Sequence, residues 1–123
     1  PAADITIALD VGPEPISGST RMKSGTATKL ALNMLTTSAM VISGKVYHNW
    51  MVDVKTTSHK LVLRAERMTA VAGNVTPEEA RRLLDMTGNH VKTAIVMARR
   101  GLDLEKARLL IKKHKGFLKN ILD

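Results

Sequence analysis

The chain has 123 residues, with 19 Lys and Arg against 11 Asp and Glu, a net charge of +8 and 44% hydrophobic residues. That length allows one domain, or one small domain with an appendage, and the hydrophobic content suffices for an apolar core. The absence of cysteine excludes a disulfide framework and a thiolate metal site. The N-terminus does not resemble a signal peptide, and no apolar run reaches the roughly 18 residues of a membrane span. We therefore expect a soluble, cytoplasmic protein with no membrane partner.

The first predicted element is a β-strand over residues 5–11. This run is apolar and partly β-branched, and Gly12-Pro13 ends it. A single strand must pair with another to satisfy its backbone, and no later run is an equally good partner. The chain therefore starts as though partway into a sheet.

A polar loop over residues 12–29 follows the strand and combines three glycines with six hydroxyl side chains and three cations. Glycines let backbone bend close to a ligand, and the loop leads into a helix N-terminus, which favours an anion. The pattern indicates a site for phosphate or a polyhydroxylated phosphate ester. A helix-capping loop with solvated cations is the alternative that the chemistry alone leaves open.

Two longer helices are predicted next. The first, over 26–43, is hydrophobic almost all round, so we expect it to be buried on more than one side, and Gly44 ends it. After a turn-bearing or partly extended connection over 45–54, a second helix runs over about 57–72. Gly73-Asn74 closes it and is the best candidate for a domain boundary.

Three short helices are predicted after residue 74. Their predicted N-terminal signals are a capping box at 76–79, Asn89 and Asp103, and their predicted ends are Gly88, Gly101 and Gly116. A final apolar turn covers 117–122. Helices joined by short loops favour a compact bundle.

Several segments carry a resemblance to a known family. The runs Gly12-Pro13-Glu14, 17–23 and 25–27 with Lys29 resemble the signature shared by N-acetylmuramic acid 6-phosphate etherases and the glucokinase regulatory protein. The similarity continues through 32–35, 43–47, 49–54, 92–97 and 116–117. One departure is His48-Asn49-Trp50, where bacterial etherases usually carry Gly-Asn-Leu.

The resemblance implies a mainly α chain in two parts. Residues 1–73 would be the last strand and the helices of a sugar-isomerase-type α/β domain, which begins before Pro1. Residues 74–123 would be a three-helix module of the ubiquitin-associated type.

The signature loop is the candidate binding site, and the substrate-binding residues that we predict in it are Glu14, Ser19, Thr20, Arg21 and Lys23. In extended backbone, Arg21 and Lys23 would face the same side. Glu14 is the only carboxylate in the motif, and a structural role as an acceptor for loop N–H groups is its alternative.

No catalytic residue is predicted within the chain. Ether elimination needs a base for the C2 proton and an acid for the departing lactyl oxygen, which suits two carboxyl groups with separated pKa values. In the family, the glutamates with these roles correspond to positions before Pro1, so this chain alone should be inactive. The histidines show no metal-ligand spacing, and neither a metal nor an organic cofactor is implied.

The resemblance implies part of a cytoplasmic, homodimeric carbon–oxygen lyase of cell-wall recycling. Its products would be N-acetylglucosamine 6-phosphate and D-lactate, formed by elimination and then hydration. Helix 26–43 is a candidate for the contact between the two subunits. A non-catalytic sugar-phosphate-binding regulator is the alternative. Nucleic-acid binding through the basic three-helix module is disfavoured, because stacking aromatics are scarce and acidic residues interrupt the cations.

Overall fold

The computed structural model describes residues 2–123, and it confirms the prediction of a mainly α chain. Its elements, in chain order, are α1 (Lys23–Ile42), β1 (Val46–Tyr47), β2 (Trp50–Met51), α2 (His59–Gly73), α3 (Pro77–Thr87), α4 (Val91–Arg100), α5 (Leu104–Lys113) and α6 (Lys119–Leu122). None of the helices in residues 2–123 has the length and apolar character needed to cross a membrane.

The chain divides into two compact units, one ending at Ala39 and the other running from Met40 to Asp123. The predicted boundary at Gly73 falls inside the larger unit, because α2 packs against both α3 and α4. The assignment of 1–73 and 74–123 to two domains of a larger protein stays a prediction.

The smaller unit differs from the sequence-based expectation in two ways. Residues 5–11 form no strand, and the side chains of Ile5 and Ile7 are 80% and 59% exposed. The prediction of a strand is wrong for this chain because no other segment among the described residues of the unit offers a sheet edge, and unpaired extended backbone is solvated instead. Helix α1 forms as predicted, but none of its residues is buried. Its expected burial is wrong because the described residues of this unit, which contains α1 up to Ala39, form no second helix or strand to cover it.

The larger unit begins with a β-hairpin in which Val46 pairs with Met51 and Tyr47 with Trp50. His48, in the turn, has a φ of 50°, a left-handed conformation that is strained for a residue with a Cβ. The ring of Tyr47 is buried in the core, so this short hairpin is fixed by packing as well as by pairing.

The core of the larger unit surrounds α4. All seven residues from Val91 to Met97 are buried, and α4 contacts α2, α3, α5 and α6. The fully buried side chains Met68, Leu84 and Leu118 come from three other parts of the unit. The predicted compact helix bundle is therefore present, with α2 as an additional member.

Most of the predicted helix ends are confirmed by hydrogen bonds. Thr76 accepts from the N–H of Glu79 at 3.3 Å, and Asp103 accepts from the N–H of Lys106 at 2.8 Å. The cap of α4 was predicted one residue too early. His90 occupies it, and its Nδ1 accepts from the N–H of Thr93 at 3.3 Å. Asn89 instead adopts a φ of 63° in the turn that follows α3.

Candidate phosphate-binding loop

The signature loop before α1 lies at the protein surface and contains one tight turn. The N–H of Ser19 donates to the carbonyl of Ile16 at 3.1 Å, and Gly18 takes a φ of 81° at the third turn position. That position of a type II turn requires positive φ, which glycine adopts without steric cost.

Glu14 caps the first turn of α1 from outside the helix. Its Oε2 accepts from the N–H of Lys23 at 2.9 Å, and its Oε1 accepts from the N–H of Ser24 at 3.0 Å. These backbone hydrogen bonds, led by the one from Lys23, hold the pKa of the Glu14 carboxyl below its ordinary value. The carboxylate satisfies donors that a helix N-terminus leaves free, so the anion position at this end of α1 is taken by the chain itself.

Lys23 makes the reciprocal connection. Its Nζ donates to the carbonyl of Pro13 at 2.8 Å. The residues on either side of the loop are thus tied twice, once through a carboxylate and once through an ammonium group. We call this pair of contacts, Glu14 to the N–H groups of Lys23 and Ser24 and Lys23 to Pro13, the loop clasp.

The other three predicted binding residues are differently placed. Thr20 and Arg21 are exposed and Ser19 is half-buried, and within residues 2–123 none of their side chains has a hydrogen-bond or ion-pair partner. Together with 16–18 they line an open depression of about 430 Å³. The structure therefore brings Ser19, Thr20 and Arg21 together on one surface, whereas Glu14 and Lys23 are engaged in the loop clasp.

An apolar depression of about 580 Å³, which the sequence does not predict, lies beside the loop and is lined by Pro15, Met22, Lys23, Thr26, Ala27 and Leu30. The four apolar side chains among them are spread over loop and helix, so neither a strand period nor a helix period reveals them. The depression places an apolar surface next to the donor-rich turn, an arrangement that suits a ligand with one polar and one apolar side.

Elsewhere in residues 2–123, oppositely charged side chains form several ion pairs at the surface. Lys45 pairs with Asp53 at 3.4 Å on the surface of the larger unit. No three His, Asp or Glu side chains of the described part are grouped so that they could hold a metal ion.

The comparisons with known proteins bear on the whole chain. No family model matches it. Among curated proteins, N-acetylmuramic acid 6-phosphate etherases from Photorhabdus laumondii and Rhizobium rhizogenes are 52% and 51% identical to it over 118 and 120 residues. The etherase from Cronobacter sakazakii is 53% identical over 121 residues.

These matches cover 96% to 98% of this chain but only 39% to 41% of the relatives. The chain thus spans about two fifths of the length of the curated relatives it matches. With about half of its residues identical across nearly its whole length, the chain is similar in sequence to about two fifths of an N-acetylmuramic acid 6-phosphate etherase.

Proposed function

We propose that the complete protein containing this sequence cleaves the lactyl ether of N-acetylmuramic acid 6-phosphate. The products are N-acetylglucosamine 6-phosphate and D-lactate, formed by elimination and then hydration. The observation that carries this proposal is the 51% to 53% identity to etherases over nearly the whole chain. In agreement with the family resemblance, we place the enzyme in the cytoplasm, in cell-wall recycling.

The contribution of this chain is to bind the substrate phosphate through its signature loop. The hydroxyls of Ser19 and Thr20 and the guanidinium of Arg21 are donors without intramolecular partners, and they line one depression. Phosphate oxygens accept hydrogen bonds from such groups, and a guanidinium can engage two of them at once. Glu14 and Lys23 contribute to this site as neighbours in the loop.

The acid and base of the elimination come, in this proposal, from polypeptide outside this sequence. Glu14 is a poor candidate for either role, because both of its oxygens accept backbone N–H groups and its pKa is lowered. A carboxyl group with a lowered pKa holds no proton to donate at neutral pH, and the two backbone N–H groups that stabilise its anion make it a weaker base. The reaction as proposed uses no metal and no organic cofactor.

The same outside polypeptide would complete the fold of the smaller unit. The exposed segment 5–11 and the exposed apolar side chains of α1 support a sugar-isomerase-type α/β domain whose other strands and helices lie in the remaining three fifths of a family member. The surface of α1 is also our candidate for the contact between two subunits of a homodimer.

The proposal is tested by D-lactate release from N-acetylmuramic acid 6-phosphate. We expect release by the complete protein and none by this chain alone. Arg21→Ala in the complete protein should raise KM by about tenfold or more, the usual effect of losing a hydrogen bond to a charged group. Arg108→Ala, which removes an exposed arginine of α5, is the matched control and should leave KM unchanged.

The alternative function predicts a different result from the same experiment. If the complete protein binds N-acetylglucosamine 6-phosphate but releases no D-lactate, the lyase proposal is wrong. A non-catalytic sugar-phosphate-binding regulator is then the better description.

A further inference from the structure

We infer that Glu14 and Lys23 are positioning residues, which hold the signature loop in the shape that presents Ser19, Thr20 and Arg21 to the sugar phosphate. This inference deepens the proposed function and rests on it. It divides the binding residues predicted from the sequence into a group that touches the ligand and a pair that acts through that group.

Glu14 is already engaged with the backbone at the start of α1. Both carboxylate oxygens accept N–H groups, from Lys23 at 2.9 Å and from Ser24 at 3.0 Å. The group is anionic, and an anion beside a phosphate would weaken phosphate binding by like-charge repulsion. We therefore expect the carboxylate to stabilise the loop through its backbone hydrogen bonds and not to contact the phosphate.

Few contacts other than the loop clasp constrain the loop. Between Pro13 and Lys23 the loop has one internal backbone hydrogen bond, from Ser19 to Ile16, and its side chains are mostly exposed. Ordering each residue of such a loop costs about 1–2 kcal/mol of backbone entropy. The loop clasp meets part of this cost before a ligand arrives, and binding groups that are held in place beforehand lose less free energy on binding.

The loop clasp also limits where the side chain of Arg21 can lie. This residue lies between the turn at 16–19 and the first residue of α1, so the clasp at Lys23 fixes the backbone two residues after it. Without the clasp, the first turn of α1 loses the acceptor for two N–H groups and can fray. The guanidinium of Arg21 would then sample many positions relative to Ser19 and Thr20.

A double-mutant cycle in the complete protein tests the inference, with kcat and KM for D-lactate release as the measurement. We expect Glu14→Ala and Arg21→Ala each to raise KM by about tenfold or more, with a much smaller change in kcat. The double variant should resemble Arg21→Ala alone, because residues that act through one another are not additive. Glu14→Gln keeps one acceptor oxygen and should recover part of the loss.

A matched control separates positioning from general destabilisation. Asp103→Ala removes another helix-capping carboxylate, which accepts from the N–H of Lys106 at 2.8 Å in the larger unit. Its cost in stability should be similar, but KM should not change. Calorimetric titration with N-acetylglucosamine 6-phosphate on the same variants gives a second readout that needs no turnover.

Several outcomes would overturn the inference. Multiplicative effects of Glu14→Ala and Arg21→Ala would make them independent ligands, and a large loss of kcat in Glu14→Gln at unchanged KM would place Glu14 in the chemistry. Equal increases in KM for Asp103→Ala and Glu14→Ala would show that the clasp contributes only to stability.

A protein that binds the sugar phosphate with the expected coupling but releases no D-lactate would contradict the proposed function and leave the inference standing. A protein that does neither contradicts both.

Discussion

The phenol of Tyr47 donates a hydrogen bond of 2.8 Å to the carboxylate of Asp123, 76 residues further along the chain. It joins the β-hairpin at the start of the larger unit to the residue that follows α6. A second contact holds the same C-terminal turn, since Nε of Arg100 donates to the carbonyl of Ile121 at 2.9 Å. The last turn of the chain is therefore secured from both the hairpin and α4.

Replacing Tyr47 by Phe should lower the free energy of unfolding by about 1 kcal/mol, the usual net value of such a hydrogen bond. Burial, and secondarily the bond to Asp123, raise the pKa of the Tyr47 phenol above 10.0. The folded state thus holds this proton more tightly, so parent stability falls as pH rises beyond 10.0, and Tyr47→Phe should flatten that fall. Urea denaturation at neutral and alkaline pH measures both effects. Equal stability of parent and variant would contradict the prediction.

Replacing His48 by Gly should stabilise the hairpin. A left-handed conformation destabilises a residue with a Cβ by about 1–2 kcal/mol, which glycine would relieve. Glycine also gives the unfolded chain more conformational entropy, and this offsets roughly half of the gain. The net gain should be about 0.5–1 kcal/mol in chemical denaturation. His48→Ala, which loses the ring contact with Tyr47 but keeps the φ of 50°, is the control and should show no gain. A less stable glycine variant would show that the ring contacts of His48 outweigh the strain.

Two buried threonines should respond in opposite directions to valine. The Oγ1 of Thr69 is buried without a partner within residues 2–123, so Thr69→Val should raise the free energy of unfolding by about 1 kcal/mol. The Oγ1 of Thr93, equally buried, lies 2.6 Å from Nδ1 of His90. Thr93→Val should therefore destabilise by about 1 kcal/mol or more. Thermal and urea unfolding of both variants provide the comparison, and effects of the same sign would contradict it.

Burial of the Lys92 ammonium group destabilises the folded state. It is only 7% exposed, and its Nζ donates no hydrogen bond within residues 2–123. Burial lowers the pKa of its ammonium group, and Asp53 offsets this only in part. Lys92→Met keeps the length of the side chain and removes the charge, so it should stabilise by about 1 kcal/mol at neutral pH.

The pH dependence of this effect has a defined sign. Because the folded pKa of Lys92 lies below 10.5, the parent becomes more stable as pH rises toward 10.5, and the advantage of Lys92→Met should shrink over the same range. Lys112→Met, at an exposed position of α5, is the control and should change little at any pH. A destabilised Lys92→Met variant at neutral pH would show that attraction to Asp53 outweighs the burial of the charge.

Local sequence signals predicted the helices of the larger unit well. The sequence predicts the capping box at 76–79, the Asp103 cap and helix ends at Gly88 and Gly101, and the structure has all four, with both glycines in the left-handed conformation. Each of these features depends on groups three to five residues apart. Over that separation, the local geometry of the backbone alone decides which groups form hydrogen bonds. The His90 cap was missed because Asn89 is the commoner capping residue and the two positions are adjacent.

The sequence by itself therefore determined the helical class of this chain, the places where most helices begin and end, and its similarity to the etherases. Only the tertiary structure decided which members of the signature loop are engaged with one another. Glu14 accepts hydrogen bonds from Lys23 and Ser24 across an irregular loop, and Tyr47 donates one to Asp123 across most of the length of the larger unit. The tertiary structure also decided that segment 5–11 is unpaired and that α1 is exposed. Burial requires a partner surface, and an apolar sequence pattern alone does not provide one.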